Sequence, residues 1–175
     1  MIKAWGINAK YFGGICGQNY TGSILNCVNS GEVKALEWAI NGMGGICGLN
    51  GGVDSSAATA DAIIANCVNN GKVTVQGYKD GASEIGGICG RNNAGTTHKS
   101  MVVNCFSTGV ISYTVSDTVP VPVISYCGSV VGYNWEKADN GKAIVSNCYY
   151  DTTVKNTLAT AAVGSTNFQH VTDTL

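Results

Sequence analysis

The side chains with the most chemistry in this chain are its cysteines, eight in 175 residues. An even, high count suits disulfides in a secreted protein, whereas free thiols act as small buried apolar groups. Zinc finds little support, because no Cys-x-x-Cys pair of the kind structural zinc sites use is present. General acid–base groups are sparse. The two histidines, His98 and His170, stand far from each other and from any cysteine, so no thiol has a neighbouring base to activate it. Asp54 and Asp61 share one glycine-rich stretch, but a calcium loop carries a denser alternation of carboxylates. The glycine-rich phrases lack the Lys-Ser/Thr ending of a phosphate loop. Aromatic residues offer a different chemistry. Tyr133-Asn134-Trp135 is the clearest case, with rings that suit stacking on sugars or packing on a protein, or that simply cover the flanks and caps of the fold.

Seven of the cysteines fall into a pattern that explains their spacing. Gly13-Gly14-Ile15-Cys16-Gly17-Gln18-Asn19 returns as Gly44-Gly45-Ile46-Cys47-Gly48-Leu49-Asn50 and as Gly86-Gly87-Ile88-Cys89-Gly90-Arg91-Asn92. It returns weakly as Gly128-Ser129-Val130-Val131-Gly132-Tyr133-Asn134. A second phrase follows each copy, opening on Asn26-Cys27, Asn66-Cys67, Asn104-Cys105 and Asn147-Cys148. Cys16, Cys47 and Cys89 thus hold one structural slot; Cys27, Cys67, Cys105 and Cys148 hold another. In the fourth copy Val131 takes the first slot and Cys127 stands four residues earlier. Core packing explains Val131 directly, since Val and Cys are close in size. A disulfide within each repeat would need Cys127 to reach Cys148 through an altered rung. The residues leave both readings open.

Phrases this short, rich in glycine and β-branched residues, form strands and turns. Single units cannot bury their apolar face, but copies stacked in parallel make a continuous core. The expected fold is therefore all-β, a parallel β-helix (β-solenoid) of about four repeats with edge loop insertions and terminal caps. The repeats span about 12–41, 42–83, 84–125 and 126–154 of one repeat domain, 1–175, and 155–175 serves as a C-terminal cap or tail. Insertions always fall between the two phrases, which places them on one edge and makes that edge the place for binding loops. Asn19, Asn50, Asn92 and Asn134 suit either a stacked polar ladder or a bare turn. Gly31, Gly71 and Gly109 read as turn residues free to take positive φ. Short helices are expected at Ala35–Asn41 and Ser55–Asn66, and an extended loop at the prolines of Val119–Val123.

Charged residues make up only 12% of the chain and the net charge is −1, which disfavours a grip on nucleic acid or an anionic membrane. No apolar stretch is long enough to span a bilayer. The direct start at Met1-Ile2-Lys3 reads as a fragment of something longer.

The alternation of Gly-Gly-Ile-Cys-Gly-x-Asn with Asn-Cys-x-x-x-Gly-x-Val resembles the GLUG-type repeats of large bacterial surface proteins. The resemblance covers Gly13 to Val33, Gly44 to Val73, Gly86 to Ile111 and, less well, Gly128 to Val154. It implies a β-solenoid in a modular, secreted or wall-attached, adhesin-like protein of the Firmicutes kind, located at the cell surface and joined to further domains. The family brings no catalytic set. The expectation is a non-enzymatic structural or adhesive module with no cofactor, reaching a host protein or glycan through its edge loops and through Tyr133 and Trp135. The alternative is a carbohydrate-active enzyme or carbohydrate-binding accessory module on a β-helix, which rests on analogy of fold. A small propeller is a third architecture for four such units.

Overall fold

The computed structural model describes residues 2–4, 10–36, 41–52, 60–76, 82–95, 97–114, 124–136, 142–154, 161, 163–166 and 171–172. Its described regular structure is entirely β. After β1 (Ile2–Ala4), the first rung holds β2 (Tyr11–Gly13), β3 (Cys16–Asn19), β4 (Gly22–Leu25), β5 (Val28–Asn29) and β6 (Val33–Leu36). The second holds β7 (Gly42–Gly44), β8 (Cys47–Gly51), β9 (Ala62–Ala65), β10 (Val68–Asn69) and β11 (Val73–Gln76). The third holds β12 (Ala82–Gly86), β13 (Cys89–Ala94), β14 (Ser100–Val103), β15 (Phe106–Ser107) and β16 (Ile111–Thr114). The fourth holds β17 (Ile124–Gly128), β18 (Val131–Glu136), β19 (Ala143–Ser146) and β20 (Tyr149–Tyr150); β21 (Val163–Thr166) and β22 (Val171–Thr172) follow.

Each strand pairs in parallel with its counterpart one rung away, giving five parallel sheets and a β-solenoid. Register follows the repeat residue for residue: Cys16 lies beside Cys47, Cys47 beside Cys89, and Cys89 beside Val131. Each full rung has five short strands, more than the phrases suggested, because two-residue strands such as Val28–Asn29 carry no period that sequence can show. β21 and β22 carry two of the sheets one step past the fourth rung, pairing with β18 and β19.

The helix expected over Ala35–Asn41 is a correction. Ala35 and Leu36 end strand β6, paired with Val75 and Gln76, and 37–40 lie outside the described residues. Likewise Ala62–Ala65 is strand β9, so the helix expected over Ser55–Asn66 fails there; most of the remainder, and the proline loop at 119–123, lie outside the described residues. Both segments have helix-forming composition, and ladder pairing with neighbouring rungs overrides it.

Two apolar cores run along the axis. One stacks Ile46, Ile88 and Val130 with the repeat cysteines and Ile64, Val102 and Val145. The other stacks Val33, Ala35, Met43, Val73, Val75, Ile85 and Ile111. Cys127 pairs in register with Ile85 and packs against this second core, so it is not a displaced partner for Cys148. All eight cysteines are free thiols. Each buried thiol also finds a carbonyl. Cys47 and Cys89 donate two residues ahead, to Leu49 and Arg91, both at 3.1 Å. Cys67 and Cys105 donate two residues back, to Ala65 and Val103, both at 3.2 Å. A small apolar side chain with one weak donor suits these corners, and Val131 shows that the donor is dispensable.

Burial lifts the Cys127 thiol to about 12, and a hydrogen bond with Cys47 raises Cys16. Because five of the eight thiols are buried away from reagent, the native protein at pH 7 is expected to take up iodoacetamide far more slowly than the unfolded chain. Intact mass after labelling in denaturant without reductant should show eight adducts. Fewer would mean disulfides.

Asn19, Asn50, Asn92 and Asn134 form a ladder. Asn19 Nδ2 donates to Asn50 Oδ1 at 2.8 Å, Asn50 to Asn92 at 2.9 Å, and Asn92 to Asn134 at 2.8 Å. The left-handed turns belong to another set: Asn26, Asn66, Asn104 and Asn147, with φ of 53°, 54°, 52° and 49°. A second ladder joins Asn29 Nδ2 to Asn69 Oδ1 at 2.9 Å. Gly31, Gly71 and Gly109 do not take positive φ, contrary to expectation. At Gly71 the reason for glycine is space, since a Cβ there would lie 2.1 Å from the Gly31 carbonyl.

Candidate functional site

Tyr133 and Trp135 are two apart on β18 and so share one face of the strand. Parallel register sets Arg91 of β13 beside Tyr133 and Asn93 beside Trp135. On the adjoining sheet the same logic places Glu84 of β12 beside Tyr126 of β17. The two sheets meet along the tight Gly-Gly turns, which brings these columns together.

The result is a continuous stack. Tyr126 and Tyr133 lie with ring centroids 4.5 Å apart and planes 12° from parallel. The Arg91 guanidinium carbon sits 5.6 Å from the Tyr133 centroid and 5.4 Å from that of Trp135, within cation–π range of both. Arg91 Nη1 donates to Glu84 Oε1 at 3.2 Å and Arg91 Nε to Asn93 Oδ1 at 3.2 Å, fixing the plane of the guanidinium. Glu84 is only 5% exposed, and among the described residues its second oxygen, Oε2, has no hydrogen-bond partner. Burial raises its pKa from the usual 4.5 to about 7, with Arg91 opposing part of the rise. Burial likewise raises the phenols of Tyr11 and Tyr133.

Glu84 therefore ties stability to pH. Its folded value lies above the unfolded one, so its contribution is complete below about 4.5 and is lost as pH climbs through about 7. The shift corresponds to about 3 kcal/mol at most. Thermal melts of the Glu84→Gln variant are expected to lose this slope between pH 5 and pH 8. An unchanged slope would place the titrating group elsewhere.

A second grouping lies on the edge from which the insertions leave. Tyr20, Gly52, Asn93, His98, Lys99 and Ser100 line a shallow recess open to solvent. Asp61 Oδ1 accepts from the Lys99 backbone N–H at 2.8 Å and lies 3.9 Å from His98 Nδ1. Ser100 Oγ donates to the Asn93 carbonyl at 2.8 Å, and Asn93 Nδ2 donates to the Gly52 carbonyl. Among the described residues no three His, Cys, Asp or Glu side chains are placed to hold a metal ion. Asp54 lies outside them.

The structure thus joins Tyr133 and Trp135 and adds Arg91, Glu84 and Tyr126, which recurrence alone could not find. Glu84 is a single acid in a column otherwise formed by uncharged residues. The signal was its spacing: Glu84 falls two residues before Gly86 as Tyr126 falls two before Gly128.

Comparison with curated proteins and with solved structures yields no match. A family model, the GLUG motif, matches residues 8–34. That span runs from the approach to β2 as far as Val33 and Lys34 of β6, nearly one whole rung. The phrases of the first rung thus match the GLUG motif, and the later rungs stack on them in register.

Proposed function

We propose that this repeat module is a non-enzymatic segment of a secreted or wall-attached bacterial surface protein, serving as a stiff spacer that carries an adhesive face. The observation that carries this reading is the unbroken register. Side-chain and main-chain ladders run through every rung, so the unit resists bending and holds surface side chains at fixed positions. Parallel rungs stack at about 4.8 Å, so length scales with the number of rungs. The half-buried rings around Arg91 supply the adhesive face. The acids fall at positions that do not recur, which leaves no row of carboxylates to act along a polymer.

Beads coated with the module, held in flow over mucin, matrix proteins and polysaccharides, test the adhesive part. Retention on at least one surface is expected, with no release of reducing ends from any polysaccharide. Retention nowhere would leave only the spacer. Release of reducing ends that an acid-to-amide substitution abolishes would make the protein an enzyme instead.

A further inference from the structure

Two features of the ring stack narrow what it can bind, given the adhesive role proposed above. The first is charge. Glu84 already occupies Arg91 Nη1 at 3.2 Å and, above about pH 7, offsets its charge, so there the cluster offers no net attraction to an anion. The second is size. Three rings and one guanidinium make a patch far smaller than the roughly 800 Å² per partner of a stable protein–protein interface. A small uncharged ligand fits both.

We propose that Tyr126, Trp135 and Arg91 form a subsite for a neutral saccharide. Tyr126 and Trp135 are half-buried, so each keeps an exposed part of its ring. A pyranose presents C–H groups on its faces and hydroxyls at its rim. Aromatic rings receive the first, and a planar N–H fork receives a pair of the second. Arg91 uses Nε on Asn93 and Nη1 on Glu84, and among the described residues no acceptor meets Nη2. That edge is free to donate to sugar hydroxyls while the Tyr133 and Trp135 rings of the next rung and the bonds to Asn93 and Glu84 hold the guanidinium in place. Strand pairing sets every one of these groups: Arg91 is one rung from Tyr133, and Tyr126 stacks on Tyr133 across the sheet junction. Little conformational entropy is lost when a ligand settles on groups already fixed.

Affinity electrophoresis of the full chain through gels containing a neutral β-glucan, a mannan, a galactan or, as the charged arm, polygalacturonate tests this. At least one neutral polymer should retard the protein. Trp135→Ala and Tyr126→Ala should each weaken that binding about tenfold or more. Arg91→Lys keeps the charge facing Glu84 but loses the planar fork, and is expected to weaken binding while circular dichroism shows the fold intact. Tyr20→Ala, in the other recess, should leave binding unchanged. Retardation by polygalacturonate alone, by no polymer, or equally in wild type and the three variants overturns the proposal. Beads that still adhere in flow when these variants have no effect would preserve the adhesive role and remove only the saccharide site.

Discussion

Gly45→Ala is expected to destabilise the protein by about 3 kcal/mol, the upper part of the range for overpacking a closed site. A Cβ at Gly45 would lie 2.2 Å from the Gly87 carbonyl and 2.2 Å from the Asn69 side-chain carbon. That carbonyl is the acceptor for Gly45's own N–H, at 3.1 Å, so the methyl group opposes the hydrogen bond that stacks the turn. Neither obstacle is a flexible chain end. The carbonyl is ladder backbone, and Asn69 is buried and bound to Asn29 and Gly71. The same crowding recurs at Gly14 against Gly45 and at Gly87 against Ser129, always towards the carbonyl one rung on. Ser129 fills the slot in the fourth rung, beyond which the repeat loses its regularity. Gly17→Ala is the control. Its Cβ would come no closer than 3.1 Å to any atom, at an exposed position of the first rung, and the expected cost is about 1 kcal/mol or less. Calorimetric melting of the two variants decides the matter, and equal losses would refute the crowding argument.

Asn92→Ala should cost about as much, by a different mechanism. Asn92 is fully buried. Its amide donates to the Ser100 carbonyl at 2.9 Å and to Asn134 Oδ1 at 2.8 Å, while its oxygen accepts from Asn50 at 2.9 Å. Truncation leaves polar groups on three rungs short of a partner in a dry interior, at about 1–3 kcal/mol each. Asn92→Asp should be worse still. The ladder is directional, every amide donating towards the next rung, so a second oxygen at Nδ2 would face two acceptors. It would also bring a charge into the core. Asn19→Ala should cost least, because Asn19 stands at the ladder's first rung and is 8% exposed. The checkable result is the order of falling cost read from urea midpoints: Asn92→Asp first, then Asn92→Ala, then Asn19→Ala. Any other order contradicts a directional ladder.

Sequence revealed what repeats and hid what does not. Gly-Gly-Ile-Cys-Gly recurs because each residue meets its own copy one rung away, so parallel register and the asparagine ladder could be read directly. Asn29 and Asn69 escaped notice because Ser107 and Tyr150 follow them in the column, and a ladder of two leaves little trace. The helices expected at Ala35 and Ala62 failed because local composition cannot register pairing with strands some 40 residues away. The candidate site was half legible. Tyr133 and Trp135 stood out as ring types near an insertion. Glu84 and Arg91 did not, because an ion pair made once leaves no period; only folding places residues 84, 91, 126 and 133 on one surface.

Strict register has a further consequence for how such a module could change in length. Cys16 meets Cys47 just as Cys47 meets Cys89, and Val33 meets Val73 as Val73 meets Ile111. Excising residues 42–83 would therefore seat Cys16 beside Cys89, Asn19 beside Asn92 and Val33 beside Ile111, with every column still in step. Duplicating them would do the same. Copy number is thus nearly free to drift by unequal recombination, while the loss of a single residue inside a phrase would throw all five columns of a rung out of phase. Reach is adjustable in whole rungs, and the cross-section is not.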